Sequence, residues 1–200
     1  VVNNAGIISC APLVEVDESE VKQIFDVNVY GAYRVTKAFA ETLIAAKGRI
    51  VNIGSISGLV TNAFNGLYGM SKHALEAFSE ALAMELAEFD VSVSSITPGS
   101  YNSRLGKNML ARVATNGQPA KRSIFEEQMR QRMEFFGRDF SKVFDEPDQV
   151  AETVYEALTV TNPSKRYIVV PSKRAGWALK SKVIRRALGM SNSQGRKSKL

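Results

Sequence analysis

The sequence predicts an α/β fold, a mainly parallel sheet with helices on both faces. Three observations predict it. Short strand-like runs occur near residues 1–3, 49–53, 91–97 and 166–170. The stretches between them are long enough for crossover helices and carry apolar residues at helical spacing. Small or turn-forming residues follow the first three runs, as Asn3-Asn4-Ala5-Gly6, Gly54-Ser55-Ile56-Ser57-Gly58 and Thr97-Pro98-Gly99.

Composition bounds the answer further. With 200 residues, 44% of them apolar and 23% charged, the chain can bury one real core. No apolar run approaches the ~20 residues needed to span a bilayer, and no secretory signal is visible at the N-terminus. The single Cys10 excludes an internal disulfide and suits a reducing compartment, so the expected location is cytoplasmic. There is no Cys/His cluster, and His73 has no metal-ligating company, so no metal site is expected. The net charge of +6 is a C-terminal feature. Residues 163–200 hold eleven Lys/Arg and no acid, which leaves residues 1–162 at about −5. That distribution is not the pattern of a nucleic-acid binder.

The elements come in a regular order. Val1-Val2 ends a strand, and the two Asn side chains of the next turn can tie backbone groups, with Gly6 allowing a close ligand approach. Asp17-Glu18-Ser19-Glu20 starts a helix, with Asp17 as N-cap and Glu20 three residues on. Val21, Ile24, Phe25, Asn28, Val29, Ala32, Val35, Thr36 and Phe39 then share one helical stripe. Asn28 is the odd member, because a carboxamide on an apolar face must be hydrogen-bonded. Gly48 closes this helix. A short interior strand, Arg49-Ile50-Val51-Asn52-Ile53, comes next. Leu75, Phe78, Leu82 and Leu86 give the following helix its buried stripe. Val91 to Ile96 alternates as a strand, and residues 100–146 form a long excursion. Within it Phe125, Met129, Met133 and Phe136 line one side of a short helix. Pro147 suits the first turn of the last helix, which buries Val150, Val154, Ala157 and Leu158. Asn162 to Tyr167 turns into the final strand.

The chemistry sits between the second strand and the third. Tyr68 and Lys72 are four apart, so on a helix they share a face. An ammonium beside a phenol favours the phenolate and lowers its pKa toward working pH, which suits general acid–base work on an alcohol or carbonyl oxygen. Ser55, thirteen residues before Tyr68, can hydrogen-bond the same oxygen; Ser57 is its rival. Alone, such a Tyr-x-x-x-Lys pair is most often a surface tyrosine above a solvated lysine. Here it is accompanied by Asn28, by Asn3-Asn4-Ala5-Gly6 and by Pro98-Gly99. This ensemble resembles the short-chain dehydrogenases/reductases.

The resemblance covers nearly the whole chain. It implies the second half of a doubly wound, Rossmann-like sheet, with the family's sequence before Asn-Asn-Ala-Gly missing. It implies hydride transfer between a nicotinamide, NAD or NADP, and an alcohol or carbonyl. Tyr68 is then the acid/base, Ser55 polarises the substrate oxygen, and Lys72 also binds the nicotinamide ribose. Asn28 holds a water that links Lys72 to solvent. Asn3, Ala5, Gly6, Tyr68, Lys72, Pro98, Gly99 and Ser103 surround the cofactor. Residues 1–171 form the partial catalytic domain, with 100–146 as substrate lid. Pro163-x-x-Arg166-Tyr167 is similar to the retinol and hydroxysteroid branch, and with the Met/Phe stripe it implies an apolar substrate. A homo-oligomer is expected. No glycine-rich phosphate loop is present, so tight dinucleotide binding by this stretch alone is not expected. The reading from another class is a non-catalytic remnant of the fold that acts as a scaffold.

Residues 172–200 read differently. Trp177, Val183, Ile184, Ala187 and Leu188 group against Lys182, Arg185 and Arg186, a basic amphipathic helix over 172–190 able to lie on an anionic membrane or to dock on the body. The chain ends in Ser198-Lys199-Leu200, a peroxisomal address if the source is eukaryotic.

Overall fold

In the computed structural model, residues 1–106, 108–109, 123–136 and 145–171 are described. The readings of residues 172–200 as an amphipathic helix and address lie outside them, as does much of the 100–146 excursion. Four parallel strands form one sheet in the order β1 (Val2–Asn3), β2 (Arg49–Ile53), β3 (Ser92–Pro98) and β4 (Arg166–Val169). Val51 pairs with Val2 on one side and Ser94 on the other; Ile96 pairs with Ile53 and Tyr167. Because every strand runs the same way, Asn3, Ile53, Pro98 and Val169 all end at one edge of the sheet.

Both faces are covered. On one, α2 (Gly31–Ala45) and α3 (Gly66–Glu85) enclose Leu43, Ile50, Ala83, Val91 and Val93. On the other, α5 (Asp148–Thr159) packs Val150, Val154, Ala157 and Leu158 against Val51, Ile96 and Val169. Burial on both faces explains why the β3 serines are interior rather than solvent-facing, as simple alternation suggested. Ser94 donates to the Ser164 carbonyl and Thr97 to the Tyr167 carbonyl, so the buried hydroxyls are satisfied.

Helix starts and stops differ from expectation in instructive ways. Asp17 occupies the N-cap of α1 (Glu18–Phe25), but its carboxylate makes no cap bond, and Glu20 instead accepts from Ser9 Oγ at 2.6 Å. Gly48 is not the left-handed residue that closes α2. Lys47 is, at φ 48°, while the Gly48 N–H donates to the Leu43 carbonyl in a Schellman arrangement. The predicted single stripe from Val21 to Phe39 is broken by a π-helical turn, Asp26–Tyr30. The extra residue in that turn shifts the phase of α2 relative to α1. Ile24, Asn28, Ala32 and Thr36 are buried, four apart each time, whereas Val35 and Phe39 are exposed.

Candidate active site

The site is assembled where β2 and β3 end. After Ile53 the chain crosses directly over α3, and two glycines make that approach possible. A Cβ at Gly54 would collide with Glu76 Oε1, and one at Gly58 would lie 2.8 Å from the Lys72 carbonyl oxygen. Between them Ser55 caps a short 3₁₀ turn, Ile56–Gly58, and accepts from the Ser57 N–H at 3.1 Å. Its rival Ser57 is taken up elsewhere: its hydroxyl accepts from Asn65 Nδ2. Tyr68, only 5% exposed, is close enough to the Ser55 side chain for that hydroxyl to favour its phenolate. The structure brings Ser55 and Tyr68 together.

Lys72 is 3% exposed and donates from Nζ to the Ile53 carbonyl at 2.7 Å. Its ammonium lies 5.8 Å from the Tyr68 ring centroid. Burial pushes Lys72 down to about 8, and Glu76 acts against that fall. The expectation that Lys72 brings the phenol down to working pH is corrected here. Burial pushes Tyr68 up to about 12, with the Ser55 hydroxyl pulling the other way. The reason is geometric, since the cation is turned onto a backbone carbonyl and is itself half-discharged near pH 8. Tyr68 is thus protonated at neutral pH and set to donate.

Asn28, 1% exposed, sits in the π turn with its carboxamide fully engaged. Oδ1 accepts from the Ile7 N–H, while Nδ2 donates to the Ile7 carbonyl and to Ser71 Oγ. Ser71 in turn donates to the Tyr68 carbonyl. The hydrogen bonding that a carboxamide on this face requires is thus supplied by the loop at Ile7 and by Ser71. Gly6 stands beside this cluster, where a Cβ would lie 3.5 Å from Asn28 Oδ1 and 3.6 Å from Lys72 Nζ.

The remaining expected residues are distributed unevenly. Asn3 does not tie turn backbone; its Nδ2 donates to Thr36 Oγ1 and Asn52 Oδ1, joining α2 to the sheet. Ala5 is exposed on the loop before Gly6. Pro98 ends β3, and the Gly99 N–H donates to the Val169 carbonyl at 2.7 Å. Ser103 is exposed beyond it. Sequence reasoning missed the polar side of α3, where Ser71, Glu76 and Ser79 are buried along with Lys72. Ser79 accepts from Asn52 Nδ2, and Glu76 accepts from Ser95 Oγ and Arg166 Nε. The recurring four-residue step Tyr68, Lys72, Glu76 was the available signal.

A nicotinamide nucleotide fits this donor set. A lysine ammonium has three N–H donors, and among the described residues only the Ile53 carbonyl takes one. A buried cation with two unspent donors suits a hydroxyl-rich ligand such as a ribose. An open groove of about 590 Å³ between α1 and α2, lined by Phe25, Tyr30, Arg34 and Met70 among others, holds none of these groups. The hydrogen-bond geometry, not groove size, locates the site. Among the described residues no cluster of three or more His, Cys, Asp or Glu could hold a metal, and no helix is long and apolar enough to cross a membrane.

A family profile described as short chain dehydrogenase matches residues 1–114. The chain belongs to the short-chain dehydrogenase family. An NADPH-dependent 1-acyldihydroxyacetone phosphate reductase of Schizosaccharomyces pombe is 45% identical to this family member over 104 residues, 52% of the chain and 35% of the relative. A mitochondrial D-beta-hydroxybutyrate dehydrogenase of Bos taurus is 32% identical over 181 residues, covering 83% of the chain and 51% of the relative. The crystal structure of a short-chain dehydrogenase/reductase from Burkholderia phymatum in complex with NAD superposes with a TM-score of 0.70. At 20% identity, covering 98% of this chain and 69% of that one, it shows the same α/β, Rossmann-like fold. The chain spans about half the length of the Bos taurus relative and about a third of the fission-yeast one.

Proposed function

We propose that this short-chain dehydrogenase is an NAD(P)-dependent oxidoreductase acting between a carbonyl and an alcohol. The observation that carries the reading is the convergence of Ser55, Tyr68 and buried Lys72 at the end of β2. The bound cofactor supplies or accepts the hydride. Tyr68 gives its proton to the carbonyl oxygen or takes it back from the alcohol. Ser55 holds that oxygen against the phenol. Lys72 binds ribose hydroxyls with its two free donors and favours negative charge on Tyr68 as the proton leaves. Asn28 keeps the Ile7 loop and the first turn of α3 in register, and Gly6 leaves room beside Lys72 for a proton path to water.

The substrate is apolar and larger than a simple sugar. Phe64, held at φ 62° in the loop before α3, meets Phe125 edge-on with ring centroids 5.8 Å apart. Met129 and Met133 are half-buried on the helix that Phe125 precedes, α4 (Glu126–Phe136). Phe136, expected in that stripe, lies beyond the described side chains. The direct test is oxidation of NADH and NADPH by the protein with a retinoid aldehyde, a steroid ketone, a long-chain aldehyde and a sugar. The highest kcat/KM should fall on one of the first three. Best efficiency on the sugar would refute the substrate class, and no turnover with any of them would favour a scaffold that kept the fold.

A further inference from the structure

Behind Lys72, on the side away from Tyr68, lies a buried carboxylate that the proposed reaction does not use. Glu76 is one helical turn further along α3 and 5% exposed. Its two oxygens are held separately, Oε1 by Ser95 Oγ on β3 at 2.6 Å and Oε2 by Arg166 Nε at the start of β4 at 3.0 Å. A Cβ at Gly54 would collide with this side chain, and one at Gly58 would lie 3.0 Å from its Cγ and closer still to the Lys72 carbonyl oxygen. Three strands' worth of structure thus converges on one acid, next to the lysine that must stay charged.

We propose that Glu76, fixed by Ser95 and Arg166, is the positioning residue that keeps Lys72 protonated and holds the Ser55 loop at its height above α3. The proposal rests on the proposed use of Tyr68 and Lys72 in hydride-transfer chemistry. Its physical basis is the desolvation of an ammonium, which costs several kcal/mol unless an opposite charge is near. Among the described residues, the ionisable neighbours of Lys72 are few. Tyr68 and Glu76 flank it on α3 and Arg166 stands behind Glu76 on β4. Ile53, Gly6 and Asn28 from the other elements carry no charge. Burial alone pushes Lys72 down, and Glu76 is the one group that raises it. Glu80 and Lys165 line a cleft of about 150 Å³ on the outer side of the Glu76–Arg166 pair. The Arg166 side chain is 36% exposed there, so it can be altered without emptying the core.

Two substitutions and one direct readout test this. The Lys72 Cε resonance, followed by NMR against pH in the protein alone, reports its protonation without any turnover. Glu76→Gln should lower the midpoint by about one pH unit, whereas Arg166→Met, which removes a cation from the far side of Glu76, should raise it. In carbonyl reduction the alkaline limb of kcat/KM, which reports the free enzyme, should move with the Lys72 midpoint, down in Glu76→Gln and up in Arg166→Met. Glu76→Asp should restore part of the shift. A purely structural Glu76 would lower Tm and leave both midpoints where they were; that outcome, in a folded Glu76→Gln or Arg166→Met protein, overturns the proposal. If Glu76→Gln does not fold, Arg166→Met decides alone. A parent protein with the expected Lys72 shifts but no turnover would refute the activity and leave the role of Glu76 standing.

Discussion

Two helices of this molecule are attached in opposite ways. α3 is held from inside. Its buried side presents Tyr68, Ser71, Lys72, Glu76 and Ser79 to partners on β2, β3, β4, the Ser55 loop and the π turn. α4 is held from outside. Glu15 accepts from Ser123 Oγ and the Ile124 N–H just before α4, Phe125 meets Phe64, and Arg130 pairs with Glu127 and Glu134 in exposed ion pairs. Buried polar bonds fix atoms but are severe when broken; exposed ones are weak, screened and replaceable. Under the proposed function, the chemistry would be set by the rigid helix and substrate fit by the loosely tethered one.

The contrast between the helices can be broken at several strengths. In the full-length protein, Tyr68→Phe should lower kcat by ~10²–10⁴-fold while cofactor affinity, measured by titration calorimetry, stays largely intact. A loss below about fivefold would remove Tyr68 from the proton-transfer role. The pH dependence should separate the two directions of reaction. With Tyr68 near 12, its phenolate fraction rises with pH, so alcohol oxidation should climb by roughly tenfold per unit between about pH 6 and 8. Carbonyl reduction needs the protonated phenol and a charged Lys72, so it should not rise over that window and should fall as Lys72 loses its proton near pH 8. Equal slopes in initial-rate profiles would contradict the assignment.

Smaller effects separate the helices by stability. Asn28→Ala strands the half-buried Ile7 N–H and carbonyl and leaves a cavity at a buried position, and should cost about 2–3 kcal/mol in denaturant unfolding. Glu15→Ala should cost under ~1 kcal/mol, yet raise KM for an apolar substrate several-fold as α4 loosens. A Glu15 variant as unstable as Asn28→Ala would erase the distinction. Least of all, added salt near ~1 M, where screening is within about 3 Å, should weaken the Arg130 pairs by at most ~0.5 kcal/mol and leave kcat unchanged.

Legibility in the sequence divides along the same line. Ser55, Tyr68 and Lys72 could be read because their spacing is local and their chemistry names itself. The four strands were found within a residue or two because each is a short apolar run between breakers. Glu76 was not found, since its meaning comes from Ser95 and Arg166, which only the sheet brings to it. The left-handed Lys47 went unseen beside a glycine that looked like the obvious stop. The phenol's raised pKa was also out of reach, because a helical wheel places Lys72 beside Tyr68 but cannot say that its ammonium turns to Ile53. The π turn was invisible for another reason. Small residues such as Ala32 and Thr36 fit a stripe of period 3.6 or 4.0 about equally well.

That turn also decides how the chain tolerates changes in length. The five residues Asp26–Tyr30 carry one more than an α-helix would use. Deleting one of them other than Asn28 would turn the bulge into a plain helical turn and leave the phase of α2 nearly unchanged, because four α-helical residues sweep about the same angle as five in a π turn. Adding one would exceed what the bulge absorbs and rotate α2 by about 100°, turning Ala32, Thr36 and Leu43 off the sheet and breaking the Asn3–Thr36 bond. A single-codon insertion here should be worse than a single-codon deletion. One codon removed near Leu13–Glu15, a turn with no buried residue, should be absorbed. The helix that looks most regular in the sequence is the place where the reading frame of the fold is counted.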